Sequence, residues 1–305
     1  MINRRSFLKN GGTLALLSLA TPALSKGRHL LSGSFGAEKI KQVGIQLYSV
    51  KDVLEQNLNG TLQSLANMGY KEVESYPGSK GHYYGMEPKA FSSLLNDMGM
   101  KLVSSHFGSG TRAAQAESWR QATMLSRFDE LAGKAAETGQ QYLTCSWMDV
   151  SLRQNPDDLK RTADLFNQVG ETCKKAGLQF AYHNHAFEFE KVGDSLLYDF
   201  MLAHTDAQLV QWEMDIFWLV AGGLDPVTYL KKYPNRFPLG HVKDMDKLDK
   251  KKNTEVGTGS IDYATILQAG RAAGMKHFIV EQETFTRPSI ESMEINYKNL
   301  SAMNI

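Results

Sequence analysis

The stretch KKAGLQFAYHNH, residues 174–185, ends a helical segment on Ala176-Gly177 and at once opens a strand-like run that turns polar at its close. The same punctuation recurs along the chain at Met68-Gly69, Met98-Gly99, Thr138-Gly139 and Ala273-Gly274. A glycine in that place is the usual stop of a helix, because it adopts the left-handed backbone that satisfies the last carbonyls. Working outward from these stops, strands are predicted at 43–48, 72–76, 102–107, 141–147, 179–185, 209–215, 238–243 and 277–283. Amphipathic helical stretches lie at 56–68, 88–98, 115–138, 157–175 and 261–273. The quasi-repeat of about 30 to 40 residues is that of successive βα units. Eight units fit an α/β fold closed as a (β/α)₈ TIM barrel, a single catalytic domain over 41–305. No Gly-rich dinucleotide fingerprint follows the first strand, which counts against an open doubly wound sheet.

At 305 residues, 42% hydrophobic and 22% charged, the chain has the composition of a globular protein of that size. A net charge of +1 gives no reason to expect nucleic acid or an anionic membrane as a partner. The two cysteines, Cys145 and Cys173, form neither a disulfide framework nor a CxxC pair. Residues 1–26 differ from the rest. A charged segment with Arg4-Arg5-Ser6-Phe7-Leu8-Lys9 precedes the apolar run 12–20 and the small-residue site Ala23-Leu24-Ser25. That order predicts a Tat-type export signal and a soluble periplasmic enzyme, with no membrane contact after the signal is removed. A linker over 27–40, carrying Ser32-Gly33-Ser34, separates it from the barrel.

Side chains alternate across a strand, so the inward set can be read off the apolar phase. It comprises Gln46 and Tyr48, Glu74, His106, Thr144 and Ser146, His183 and His185, Gln211, Glu213 and Asp215, His241 and Lys243, and Glu281 and Glu283. The C-terminal end of a barrel is where active sites form, and unpaired charge inside a barrel is costly. The convergence of these groups is therefore a functional signal. Asp215, His241 and Glu281 form a carboxylate and imidazole group on three consecutive strands. Such ligands suit one divalent ion, Mn²⁺ first, with Zn²⁺, Co²⁺ and Fe²⁺ as alternatives. Tyr48, Trp147, Phe217 and Trp218 near strand ends are candidates for a sugar-stacking platform. Val256-Gly257-Thr258-Gly259-Ser260-Ile261-Asp262 reads either as an anion cradle or as a loop in which Ser260 caps the next helix.

Six short segments carry a resemblance: Gly44-Ile45-Gln46-Leu47-Tyr48-Ser49, Tyr182-His183-Asn184-His185, Met214-Asp215-Ile216-Phe217-Trp218, His241-Val242-Lys243-Asp244, residues 256–262, and Val280-Glu281-Gln282-Glu283. In this order, over residues 40 to 300, the chain resembles the xylose-isomerase-like TIM barrels. These are the sugar phosphate isomerases/epimerases with inosose dehydratase and ketose 3-epimerase relatives. In the epimerase members Glu, Asp, His and Glu at strand ends hold one divalent metal, which carries over to Asp215, His241 and Glu281. The first position reads Glu-Asn-His in the family and His183-Asn184-His185 here. Either His183 takes that ligand position or Glu188 reaches back from the following loop.

The resemblance implies an enzyme that abstracts a proton α to a carbonyl of a keto-sugar or keto-glycoside through a metal-stabilised enediolate. The outcome is isomerisation/epimerisation or β-elimination/hydration. His183, His185, Glu281 and Lys243 are the expected catalytic groups, and Gln46, Tyr48, Glu74, His106 and Trp218 the expected substrate contacts. Lys243 is equally readable as a buried ion pair with Glu213 or Glu281. Histidine in place of a family glutamate, together with export, favours the lyase or hydratase outcome. An endonuclease-IV-like phosphodiesterase is the alternative on the same barrel, opposed by the near-zero charge and the export signal. A non-catalytic sugar-binding barrel is the third. The expected partner is a small carbohydrate, and the sequence leaves a homodimer open.

Overall fold

The computed structural model describes residues 38–305; the predicted export signal and most of the predicted linker lie outside them. Eight parallel strands close into a barrel: β1 (Val43–Gln46), β2 (Glu72–Ser75), β3 (Lys101–Gly108), β4 (Tyr142–Trp147), β5 (Gln179–His183), β6 (Val210–Asp215), β7 (Leu239–Val242) and β8 (His277–Val280). Each is hydrogen-bonded to its sequence neighbour, and β8 pairs with β1 to complete the ring. An outer layer is built by α1 (Leu58–Met68), α2 (Pro88–Asp97), α3 (Phe128–Ala136), α4 (Pro156–Lys175), α5 (Leu197–His204), α6 (Pro226–Lys232), α7 (Tyr263–Ala272) and α8 (Ser289–Ala302). Among the described residues no helix is long and apolar enough to cross a membrane.

Local chemistry sets the helix ends. Asn57 and Asn155 accept from the backbone N–H of Gly60 and Asp158 at 3.0 and 2.9 Å, and Pro156 opens α4 where no backbone donor is needed. The glycines that end the predicted helices, Gly69, Gly99, Gly139, Gly177 and Gly274, all have positive φ, from 74° to 114°. Gly44 serves a different purpose. A β-carbon there would stand 2.9 Å from Ile279 Cγ1, so its bareness lets β1 and β8 close the ring.

Alternation across the strands makes two cores. Outward residues such as Ile45, Val73, Phe180, Tyr182, Trp212, Met214 and Val280 are buried under the helices. Inside the barrel a small apolar plug of Val103, Tyr142, Ala181, Leu239 and Ile279 closes the lower half. The site is thereby confined to the upper half.

Three expectations are corrected. The helix predicted over 115–138 forms only over Phe128–Ala136. Before it, Thr123 and Ser126 pair in a tight turn, while the Met124 and Leu125 N–H groups donate to Gly108 and Ser109 at the end of β3. Tertiary hydrogen bonds there replace the helical ladder. Strand β5 ends at His183, so His185 lies in the following loop. Residues 38–40, counted with the linker, are joined to the C-terminus: Glu38 and Ile305 exchange backbone hydrogen bonds of 3.1 and 3.0 Å, and Ile40 is buried.

Candidate functional site

Strands β5 to β8 carry His183, Asp215, His241 and Glu281 to one point at the top of the barrel. Their ligand atoms all lie within 4.8 Å of one another, and all four residues are buried. His183 Nε2 is 3.1 Å from His241 Nδ1 and 3.3 Å from Asp215 Oδ2, and His241 Nδ1 is 3.2 Å from Glu281 Oε2. Register explains the meeting, since Asp215 pairs directly with His241 across β6 and β7. Asp215 also caps the short helix Ile216–Ala221, its Oδ1 accepting from Trp218 N at 2.9 Å. The Asn184 side chain ties the ends of β5 and β6 together through both backbone groups of Asp215, at 3.2 and 3.1 Å.

Whether this group suits a divalent ion can be judged from its own atoms. Asp215 Oδ2, although 2.9 Å from Lys243 Nζ, makes no hydrogen bond, and neither does His183 Nδ1. Two imidazoles and two carboxylates converging at one buried point fit a borderline cation. Glu188 is not part of the group. Its carboxylate accepts from Tyr182 Oη at 2.5 Å and from His185 N at 2.8 Å, turned beneath the loop by the turn Phe187–Phe189. Of the two ligand alternatives, His183 is the residue the fold brings to Asp215, His241 and Glu281.

Lys243 is fully buried among three carboxylates, with Nζ 2.6 Å from Glu281, 2.8 Å from Glu283 and 2.9 Å from Asp215. It does not contact Glu213, which instead faces His106 at 2.8 Å and His241 at 3.3 Å. Above these groups opens a cavity of about 440 Å³, whose wall includes His106, His183, His185, Glu281 and Glu283. Its rim is aromatic: Tyr48 and Tyr76 meet edge to face on one side, and Trp147, half exposed, stands beside His185 and Phe187 on the other. Gln46 and Glu74, expected as substrate contacts, lie in the floor and do not reach the cavity. Gln46 donates to Glu74 at 2.9 Å, and Glu74 contacts His106 and His241 at 3.0 and 2.7 Å. Trp218 lines a neighbouring groove, and Gln211 lies at the opposite mouth of the barrel with Gln141 and Gln179. Tyr76 was not singled out from sequence; its place just beyond β2 on the inward phase was the available signal.

Charge fixes the protonation states. Burial would lower the pKa of Lys243, but Asp215, Glu281 and Glu283 outweigh it and hold the ammonium well above its ordinary range. Burial would raise the pKa of Glu281; Lys243 and then His241 overcome it, so the carboxyl stays well below the carboxylate range. For His106 burial opposes charge, yet Glu74 and Glu213 raise it to about 9. His185 is the opposite case. Burial, then His183 and Lys243, press its pKa well below the usual imidazole value, so at neutral pH it is an uncharged base on the cavity wall.

The glycine-containing loop after β7 is settled by hydrogen bonds. Asp244 accepts from Gly257 and Gly259 through Oδ2, at 2.8 and 3.1 Å, and from Ile261 through Oδ1 at 3.1 Å. Those donors are spent on the protein's own carboxylate, so the loop is no anion cradle. The cap of α7 is Asp262, which accepts from Thr265 N at 3.2 Å, where Ser260 was expected.

The family model described as Xylose isomerase-like TIM barrel matches residues 62–300. An inosose dehydratase of Clostridium beijerinckii is 24% identical over 238 residues, covering 70% of this chain and 78% of that one. A sugar phosphate isomerase/epimerase of Parabacteroides distasonis superposes with a TM-score of 0.72 at 29% identity, over 89% of this chain and 96% of that one. A second one from the same organism gives 0.74 at 26% identity, over 85% and 97%.

Proposed function

The chain belongs to the xylose isomerase-like TIM barrel family, and from that premise we propose a divalent-metal-dependent enzyme that abstracts a proton α to the carbonyl of a keto-sugar or keto-glycoside. The observation that carries the reading is the meeting of His183, Asp215, His241 and Glu281 under a cavity walled by an uncharged His185. Mn²⁺ is the first candidate ion, and a donor set of two nitrogens and two carboxylates also accepts Zn²⁺, Co²⁺ or Fe²⁺. When bound, such an ion supplies the positive charge that stabilises the oxyanion of an enediolate.

The chain's own groups divide the remaining work. His185 takes the α-proton: its imidazole is uncharged at neutral pH and stands on the cavity wall, free to accept. Glu281, ionised and also on the wall, orients the substrate, and the proton that His185 has taken is the one returned to the departing hydroxyl. Lys243 holds the Asp215, Glu281 and Glu283 carboxylates in place and keeps Glu281 from taking a resting proton. An imidazole and a carboxylate are unequal partners, whereas epimerisation by two like carboxylates needs a matched pair. That inequality, and the similarity to inosose dehydratases, favours β-elimination or hydration. The aromatic rim of Tyr48, Tyr76 and Trp147 suits the apolar face of a sugar ring. We further propose periplasmic location from the Arg4-Arg5 segment, and fractionation of the full-length chain tests it. Recovery from the cytoplasm with residues 1–25 intact refutes that location.

The chemistry is tested by incubating metal-loaded protein with keto-sugars in D₂O and following deuterium uptake and product by NMR. Exchange is expected at the carbon next to the carbonyl and is expected to vanish in Glu281→Gln. Absence of exchange with every keto-sugar, with and without Mn²⁺, overturns the reading.

A further inference from the structure

Beneath the four residues at the strand ends lies a second convergence, which shares only His241 with them and whose other members the proposed reaction does not use. Glu74 of β2, His106 of β3, Glu213 of β6 and His241 of β7 bring their ligand atoms within 4.8 Å of one another, all four residues buried. His106 Nε2 stands 3.0 Å from Glu74 Oε1 and 2.8 Å from Glu213 Oε2. His241 Nε2 stands 2.7 Å from the same Glu74 oxygen and 3.3 Å from Glu213 Oε1. Each ring nitrogen therefore faces both glutamates, with a single hydrogen to give. Glu74 Oε2 and Glu213 Oε1 make no hydrogen bond, although both side chains are wholly buried. Each carboxylate meets an imidazole through its other oxygen, and these two remaining oxygens are open to a cation.

We propose that this quartet binds a second divalent cation, and that His241 bridges it to the ion above. The two nitrogens and two carboxylates come from four different strands and converge as a closed four-ligand set, donors that Zn²⁺ and other borderline cations accept. His241 has its Nε2 in the lower set and its Nδ1 toward His183 and Glu281 in the upper. With both ions bound it carries no ring hydrogen, and its two nitrogens are shared between them. With the lower ion alone, Nδ1–H donates to Glu281. The lower site therefore stands without the upper, although its bridging role rests on the proposed catalytic ion.

Charge balance points the same way. Glu74, Glu213, Asp215, Glu281 and Glu283 make a connected group of five carboxylates, faced by the Lys243 ammonium and by the His106 and His241 imidazoles, whose positive charge the ions would replace. Two divalent ions and that ammonium together carry five positive charges. Of the lower ligands only His106 reaches the cavity wall, so the lower ion stays out of contact with substrate. Its work is to fix the His241 and His106 rings and to set the field beneath the reacting centre. Protons now on the imidazoles leave as the ion enters.

The test counts metal. Metal-stripped full-length protein is reloaded with Zn²⁺ or Co²⁺, dialysed, and assayed by elemental analysis, with circular dichroism to check folding. Two equivalents are expected in the wild type and one each in Glu213→Gln and Asp215→Asn. In the Co²⁺ protein visible absorption of a four-coordinate ion is expected to survive Asp215→Asn, where only the lower set is intact; its loss there overturns the lower site. A single equivalent that disappears in Asp215→Asn and persists in Glu213→Gln overturns the lower site and leaves the catalytic reading standing. No bound metal in the wild type overturns both. Should Glu213→Gln fail to fold, the wild-type count and the Asp215→Asn spectrum decide alone.

Discussion

Lys243→Met probes the site through stability as well as activity. The ammonium sits 2.6, 2.8 and 2.9 Å from Glu281, Glu283 and Asp215, fully buried, and Asp215 and Glu281 are buried with it. Methionine has nearly the same length, so the substitution removes charge and leaves little space behind. Removing one partner from a buried ion pair costs about 3–5 kcal/mol, because the other charge stays behind without compensation. Part of that is recovered as neighbouring groups take up protons, which places the expected loss near 3 kcal/mol. For a barrel of this size that is a fall in Tm of roughly 5 °C in metal-free buffer, read by differential scanning calorimetry. Asp215 and Glu281 are also the proposed metal ligands, so an added divalent ion replaces the lost charge in the variant but competes with Lys243 in the wild type. Saturating Mn²⁺ or Zn²⁺ is thus expected to raise the Tm of Lys243→Met by several degrees more than that of the wild type, as binding at about 100 times Kd contributes about 2.7 kcal/mol. A variant that melts within about 2 °C of the wild type without metal refutes the assignment of net stability to these contacts. Equal metal-induced increments in the two proteins refute the link between the lysine and the ion site.

Glu188→Gln separates the two sequence alternatives for the fourth ligand: metal content is expected to be unchanged, whereas His183→Ala is expected to lower metal affinity tenfold or more. Burial raises the Glu188 pKa from 4.5 to about 7 despite the hydrogen bonds from Tyr182 and His185, so the folded state keeps a proton that the unfolded chain has lost. Stability from this group is fully present below 4.5 and falls as pH rises through about 7, so the glutamine variant is expected to unfold at higher urea above pH 8, by up to about 3 kcal/mol, and to match the wild type near pH 5. Trp147→Ala removes a half-exposed ring from the rim and is expected to raise KM or Kd for a sugar roughly fivefold to tenfold, with thermal stability changed by less than about 1 kcal/mol. Asp244→Ala takes the acceptor from Gly257, Gly259 and Ile261, and amide hydrogen exchange at those positions is expected to accelerate, with a loss of about 3 kcal/mol overall.

What the sequence made legible was phase. The alternation that turned Val43 and Ile45 outward and Gln46 inward holds around the ring apart from an extra residue, Val103, in β3, because a closed barrel buries both faces of every strand. Phase reports the face of a side chain and not its height. Gln211 and Asp215 share a phase on β6, yet Gln211 lies at the lower mouth and Asp215 at the site. Height comes from register between strands, and no single strand encodes that. The same limit left the partners of Lys243 half read: Glu281 is one, as the sequence offered, but only the stagger of β6 against β7 puts Asp215 beside it and moves Glu213 down to His106.

Loops were harder, because their geometry is set by groups distant in sequence. The residues before α3 have a helical composition, and hydrogen bonds to the end of β3 decide against the helix. Residues 256–262 have the glycines of an anion cradle, and one carboxylate thirteen residues before Gly257 occupies the donors. Glu188 is the sharpest instance. Five residues beyond His183 it has the reach to replace it, and its chemistry suits the part. What turns it away is a phenol one residue before His183: the Tyr182 side chain points outward, as its phase requires, and its hydroxyl draws the carboxylate under the loop. The side that keeps Tyr182 in the outer core thus leaves His183, by alternation, facing Asp215 and His241. His183, which departs from the family pattern, therefore faces Asp215 and His241, while its neighbour Tyr182 holds Glu188 away from them.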